Sequence, residues 1–417
     1  MTPETVELDI HAIAAGGDGV GRVDGLVVFA PRTAPGDHVR ATIERGKRFA
    51  RASHTEILTP SSDRVAPACR HYDGDACGGC QLQHLSDGAQ RRAKAGMIRD
   101  AFTRIAKRPL DLPEVRHGRS PWRYRAKLTL ALRRTSGGWT GGLHRFDDSA
   151  AVFALDDCPI TDQRVLAVWR DVLAHGVLLP DAPSLRGSVR LLGDGAAFVV
   201  QGGSAWERAA DLLEAVPSLV AVWWVPEGDG ALGKRRYMAG RGPGEEYGAS
   251  FTQVNAEVAE MMRAHVLALV RSRAPRRVVD AYAGVGDTAE PIAREGAHVV
   301  AIELDRDASR ACAARLPAGS RAVAGTVEGS LPGLLPADLV LLNPPRAGVA
   351  DAVTRALEAA VPRAASIIYV SCDPATLARD VGRLPSYRVS SVTAFDMFPQ
   401  TAHVETVCEL RLEGMPA

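Results

Sequence analysis

The sequence predicts an α/β protein: a parallel, doubly wound sheet in the C-terminal part, preceded by a small β-barrel and a mixed α+β middle. From Phe251 onward, continuous apolar runs such as RRVVDAYAG, HVVAIELD, ADLVLLNPP and ASIIYVSCDP alternate with helical patterns. Strands buried on both faces and separated by helices belong to parallel sheets, whose ligand sites lie at the strand C-termini. Before residue 60 the apolar runs are short and close-set, with glycine and Asp/Pro turns between them, as in a small barrel.

The first stretch, residues 1–60, holds the strand segments VELDIHAIA, GGDGVGRVDG, LVVFA, VRATIERG and RASHTEIL. Arg45, Lys47, Arg48 and Arg51 cluster near its end, as either a solvated strand edge or a binding patch. Residues 61–250 form the middle stretch. Between Gln90 and Arg134 it carries fourteen Lys and Arg residues against three acids. In a chain of net charge +1 such a run points to a phosphate-backbone footprint more than to an ordinary solvated face. Within it SPWRYRAKLTLAL alternates basic and apolar residues, while RGSVRLLGDGAAFVVQGG and LVAVWWVPEGDG carry hairpin turn signals. Residues 251–417 make the third stretch, opening with the helical EVAEMMRAHVLALVRS.

The 417 residues are 46% hydrophobic and 24% charged, a globular composition that excludes wholesale disorder. No window reaches eighteen uninterrupted apolar residues, and MTPETVELDI lacks a basic-then-apolar leader, so a cytoplasmic protein without a membrane partner is expected. No heptad seam argues for assembly, and a monomer is the expectation. Seven cysteines, an odd number in a chain of this length, argue against a disulfide framework.

DAYAGVGD places Gly284 and Gly286 between a strand and a helix, where backbone can approach a ligand closely. Glu303 ends the next apolar run, positioned to hydrogen-bond a ribose diol. The full GxGxxG is absent, since Ala289 stands at its third glycine position. A nucleoside cofactor without a diphosphate therefore fits better, with S-adenosylmethionine first and a nicotinamide cofactor second. Cys372, in IIYVSCDPATLARD, follows an apolar strand and precedes a helix, on the expected ligand side of the sheet. It is either a buried small hydrophobe or a nucleophile. Glu405 opens the last strand, with His403 two residues before it, as an exposed strand end or a general base. NPPRAGV, from Asn343 on, is a stiff loop at a strand end. Cys69, Cys77 and Cys80 form a compact thiol group to which Cys158, followed by proline, is a natural fourth member. A three-plus-one set of this kind fits an iron–sulfur cluster better than zinc, which typically takes two paired hooks.

Together these residues resemble the RNA uracil-C5 methyltransferase family, makers of 5-methyluridine in ribosomal and transfer RNA. FTQVNAEVAEMM (251–262), DAYAGVGD (280–287), NPPRAGV (343–349), YVSCDPATLARD (369–380) and DMFPQTAHVE (396–405) match its motifs in order, and the resemblance spans essentially the whole chain. It implies a TRAM (OB-like) RNA-binding barrel over residues 1–60, an iron–sulfur and RNA-binding region over 61–250, and a Rossmann-like class I methyltransferase domain over 251–417. It also implies a [4Fe-4S] cluster on Cys69, Cys77, Cys80 and Cys158. Cys372 falls on the nucleophile and Glu405 on the base; Gln253, Tyr282, Gly284, Gly286, Asp287, Glu303 and Asn343 fall at the S-adenosylmethionine site. Asn343 departs from the family's usual aspartate, and seven residues separate the first two cysteines where five are common. The implied reaction is methyl transfer to C5 of a uridine, in 23S ribosomal RNA by the barrel and cysteine group. A transfer-RNA target or a silent RNA-binding homologue are the alternatives.

Overall fold

The computed structural model describes residues 4–228, 235–242 and 253–414. Strands β1 (Glu4–Ile13), β2 (Gly19–Val23), β3 (Leu26–Ala30), β4 (His38–Arg45) and β5 (Phe49–Thr59) close into a barrel in the order β1-β2-β3-β5-β4. Alternation turns Leu8, Ile10, Val39, Ala41 and Ile43 inward to a small apolar core. Closure leaves the barrel without free edges. Two of its cluster of cations are consumed at once, Arg45 by Glu4 and Arg51 by Asp18.

A short helix α1 (Arg70–Gly74) and the longer α2 (Asp87–Ala101) lead to a three-residue strand β6 (Glu114–Arg116). Then β7 (Lys127–Thr135), β8 (Gly138–His144), β9 (Val152–Ala154), α3 (Gln163–Ala174), β10 (Ser184–Leu192), β11 (Gly195–Gln201), α4 (Ala209–Ala215), β12 (Leu219–Val225) and β13 (Arg236–Gly240) follow. Their strands form one seven-stranded sheet, β13-β12-β11-β10-β7-β8-β9, packed on α3 and α4 through Leu130, Trp169, Phe198 and Leu212.

The C-terminal layer comprises α5 (Ala256–Arg273), β14 (Arg277–Ala281), α6 (Ala289–Arg294), β15 (His298–Glu303), α7 (Arg306–Arg315), β16 (Arg321–Ala324), α8 (Val327–Ser330), β17 (Leu339–Leu342), α9 (Asp351–Ala359), β18 (Ser366–Ser371), α10 (Pro374–Gly382), β19 (Tyr387–Phe395) and β20 (Glu405–Leu412). The sheet order is β16-β15-β14-β17-β18-β20-β19-β6. Five strands are parallel and doubly wound as expected, reversing direction of growth between β14 and β17. The expectation of a wholly parallel sheet fails at its end. β20 runs antiparallel to both β18 and β19, because the connection 396–404 is too short to carry a crossover helix.

The middle stretch is also not one unit. β6 pairs parallel with β19 at the edge of the C-terminal sheet, and Ile98, Ala101 and Phe102 of the preceding segment pack into that sheet's core. The basic run 90–134 consequently spans two sheets, and several of its cations are engaged by carboxylates. Lys94 is fully buried against Asp396, Arg92 pairs with Asp63, Arg123 with Asp157 and Arg134 with Asp181. No helix among the described residues is long and apolar enough to cross a membrane.

Candidate active site

The glycine turn lies at the topological switch point, where open α/β sheets bind ligands. After β14 the backbone turns through Tyr282 (φ 63), Gly284 (φ 56) and Gly286 (φ 88). A non-glycine residue in the left-handed region, as at Tyr282, is strained and clusters at ligand sites. A Cβ at Gly286 would stand 2.7 Å from the Cys312 sulfur, whereas one at Gly284 would meet nothing within 4 Å. Gly286 is thus needed for packing against α7, and Gly284 borders open space. Glu303 accepts from Gly284 N at 2.8 Å and from Asp305 N at 2.7 Å, one bond to each carboxylate oxygen. Each oxygen keeps acceptor capacity. Asp280, missed by the sequence reading although it opens DAYAGVGD, is 1% exposed; one oxygen accepts from Thr288 at 2.6 Å and Oδ1 has no partner among the described residues. Burial raises its carboxyl to about 7. An acid interrupting an apolar strand was the signal for it.

Asn343, exposed at the end of β17, donates its backbone N–H to Ala281 O across the switch point. Gln253 lies half-buried just before α5, and Phe251 and Thr252 of its motif lie outside the described residues. Asp287 is turned outward at the start of α6, ion-paired to Arg315 at 2.8 Å.

The second half of the site is built by β18 and β20. Their register pairs Val370 with Val407 and Ser371 with Thr406, which sets Cys372 opposite Glu405. Directly opposed residues of an antiparallel pair have Cβ atoms about 5 Å apart on one face. The pairing depends on strand direction: in a wholly parallel sheet the start of the last strand would lie at the far edge from the end of β18. Cys372 is half-buried, between the strand end and Asp373, whose carboxylate accepts from Ala375 N and Thr376 N to cap α10. Burial raises its thiol, as does the facing Glu405 carboxylate, while the Arg346 guanidinium pulls it back. Glu405 is 5% exposed; burial lifts it to about 7, again against Arg346. A carboxyl with its pKa near neutrality suits a general base.

Arg346 is the residue the sequence reading passed over inside NPPRAGV. Its loop is placed by Asp380, buried and accepting from Val349 N at 2.9 Å and Tyr369 OH at 2.8 Å, and by Arg379, which donates to Ala347 O. These bonds lock NPPRAGV to YVSCDPATLARD. His403 lies in the turn before β20, with its pKa lowered by burial and by Arg346, Lys94 and Arg125.

Cys69, Cys77, Cys80 and Cys158 line one cavity of about 270 Å³, with Arg125, Arg346, Phe398 and His403 on its other walls. None of the four is in a disulfide. Burial raises the Cys77 thiol to about 11 and Cys80 to about 12, with a smaller contribution from the neighbouring cysteines. Among the described residues no group of three or more His, Cys, Asp or Glu side chains is set to hold a metal ion. Cys312 and Cys408 are fully buried packing residues.

The chain is similar over its length to known proteins. The family model described as tRNA (Uracil-5-)-methyltransferase matches residues 335–412, and the TRAM domain model matches residues 1–53. An uncharacterized RNA methyltransferase of Synechocystis is 33% identical, covering 97% of this chain and 95% of its own. A 23S rRNA (uracil(1939)-C(5))-methyltransferase of Alkalilimnicola ehrlichii is 32% identical over 99% and 97%. The crystal structure of Pyrococcus abyssi tRNA (uracil-54, C5)-methyltransferase with S-adenosyl-L-homocysteine superposes with a TM-score of 0.72. It shares 23% identity and covers 97% of this chain and 100% of its own, a likeness of fold.

Proposed function

Because the chain belongs to the RNA uracil-C5 methyltransferases, S-adenosylmethionine-dependent enzymes that here carry a TRAM barrel, we propose that it methylates C5 of a uridine in 23S ribosomal RNA, with Cys372 as nucleophile and Glu405 as base. The observation that carries the roles is the register placing Cys372 opposite Glu405 beside Arg346. S-adenosylmethionine supplies an electrophilic methyl group on a sulfonium. Gly284 and Glu303 would hold it, and the family resemblance assigns Gly286, Tyr282, Gln253, Asp287 and Asn343 to the same site; the open space over Gly284 and the acceptor capacity of Glu303 fit its ribose.

C5 of uracil is a weak nucleophile. Cys372 sulfur adds to C6, and the C5–C6 π pair moves toward O4 as an enolate; the electron-rich C5 then takes the methyl group as the sulfonium S–CH3 bond breaks, leaving S-adenosylhomocysteine. Arg346, beside Cys372, favours the thiolate needed for the attack. Glu405 then removes the C5 proton, the C5–C6 double bond re-forms, and the S–C6 bond breaks to return the thiolate. The covalent detour replaces one prohibitive step with two feasible ones. The target base must leave its stack to reach this crevice.

Cations suited to the flanking phosphates extend from the crevice onto the seven-stranded sheet. Arg346 and Arg125 both act on His403, and Lys127 is depressed by burial and then by Arg190, Arg235, Arg186 and Arg125. Cys69, Cys77, Cys80 and Cys158 are the residues that would hold a [4Fe-4S] cluster, which would tie residues 69–80 to residue 158. Their shared cavity and lack of disulfides support it, and metal analysis distinguishes iron from zinc. The protein acts as a cytoplasmic monomer.

Methyl incorporation from labelled S-adenosylmethionine tests the function: a 23S rRNA transcript should accept label at C5 of uridine. Label in a tRNA transcript alone would assign the transfer-RNA target, and label in neither would leave the silent homologue.

A further inference from the structure

Residues 396–402 lead from β19 toward Glu405, and most of the hydrogen bonds that hold them come from the middle stretch, with Asn255 ahead of α5 adding one to Met397 O. Lys94 of α2, fully buried, donates to Asp396 Oδ1 at 2.5 Å and to Phe398 O at 3.0 Å. Gln90, one turn earlier, embraces Gln400: its Oε1 accepts from Gln400 N at 2.9 Å and its Nε2 donates to Gln400 Oε1 at 2.9 Å. Gln400 is 2% exposed and sits at φ 70, a conformation that persists where its surroundings dictate it. Leu82 N donates to Gln400 O, Gln81 Oε1 accepts from Ala402 N, and Tyr124 OH donates to Pro399 O. Asp396 N donates to Arg116 O of β6. Glu405 opens β20 shortly beyond this clamped segment, after His403 and Val404.

We infer that Gln90 and Lys94 are positioning residues for the base: the α2 side of the molecule grips the 396–402 turn and so fixes where the Glu405 carboxylate stands relative to Cys372. This rests on the assignment of Glu405 as the base. The base acts after the Cys372–C6 bond has formed, so a displaced Glu405 leaves addition intact and stalls elimination. Misplacement by about 1 Å can cost about a hundredfold in rate.

The test uses the full-length protein, a 23S rRNA transcript and S-adenosylmethionine. Gln90→Leu keeps side-chain size and removes both contacts to Gln400. The double variant Lys94→Met with Asp396→Leu replaces a buried ion pair by apolar side chains, an exchange proteins often tolerate, and also removes the anchor on Phe398 O. Thermal unfolding establishes that each variant is folded. Turnover is expected to fall at least about tenfold, with S-adenosylmethionine affinity retained and a denaturation-resistant protein–RNA adduct accumulating on gels. Lys94→Arg, which can still donate to Asp396, should recover part of the turnover and lose the adduct. Unchanged turnover, or lost turnover without adduct, overturns the inference. If Glu405→Gln itself traps no adduct while the wild type methylates, the base assignment fails instead; if Glu405→Gln traps it and the Gln90 and Lys94 variants do not, the positioning role alone fails.

Discussion

Cys372 and Cys80 carry the same side chain, and in both burial raises the thiol. They differ in their company. Cys80 faces Cys69, Cys77 and Cys158 around one cavity, while Cys372 has a carboxyl opposite it and a guanidinium beside it. Burial alone makes a thiol inert. A nearby cation such as Arg346 favours the thiolate of Cys372 while the facing Glu405 carboxylate opposes it, whereas the thiols around Cys80 raise one another.

The sharpest way to break this contrast is Cys372→Ala, which should reduce methyl transfer to background while calorimetry shows S-adenosylmethionine still bound. Turnover by that variant would make Cys372 one more packing cysteine. Glu405→Gln comes next, with turnover lower by about 10²–10⁴-fold and a protein–RNA adduct retained on a denaturing gel. Wild-type turnover should rise with pH through about 7, as Glu405 becomes a carboxylate. The stability linkage has the opposite sign. Glu405 binds its proton more tightly in the folded chain than at its ordinary value of 4.5, so stability falls as pH rises from about 4.5 to about 7. Urea titrations should show Glu405→Gln free of that loss, by up to about 3 kcal/mol. Asp280, raised to about 7, contributes a parallel loss that this variant keeps.

On the other side of the comparison, Cys158→Ser should remove iron and sulfide from anaerobically purified protein and lower its melting temperature, with Cys372 still open to alkylation. Zinc in place of iron, or no metal in the wild type, would break the cluster reading and leave the cavity to thiols alone. A smaller effect separates the two glycines. Gly286→Ala forces a methyl group against Cys312 and should cost about 1–3 kcal/mol, whereas Gly284→Ala pays only the backbone strain of about 1 kcal/mol; chemical denaturation measures both. Asn343→Asp is expected to change turnover by no more than about tenfold, in a steady-state assay with the same transcript.

Much of the fold is legible in the order of the residues. Apolar runs broken by helices mark β14, β15, β17 and β18, and Gly284 with Glu303 marks the turn after β14, because strand burial and turn chemistry leave local traces. The four-cysteine group is legible for the same reason, three of its members standing close in sequence. β16 and β19 escape such a reading. RAVA is too short to stand out, and YRVSSVTAF carries polar residues on one side of its strand. Lys94 reads as a surface charge because its partner, Asp396, is distant in sequence. Arg346 goes unnoticed because a lone arginine in a loop carries no pattern.

The sequence by itself determined the barrel, the succession of strands and helices, the glycine turn and the identity of the chemical groups, all of which follow from periodicity and residue type over a few positions. The tertiary structure alone decided that β20 enters between β18 and β19, and with that whether Glu405 meets Cys372 at all. A short connection reverses the chain, but where it seats the next strand depends on how it packs against the rest of the molecule. Here that connection is the turn gripped by Gln90 and Lys94, and no local pattern in 396–404 records who holds it.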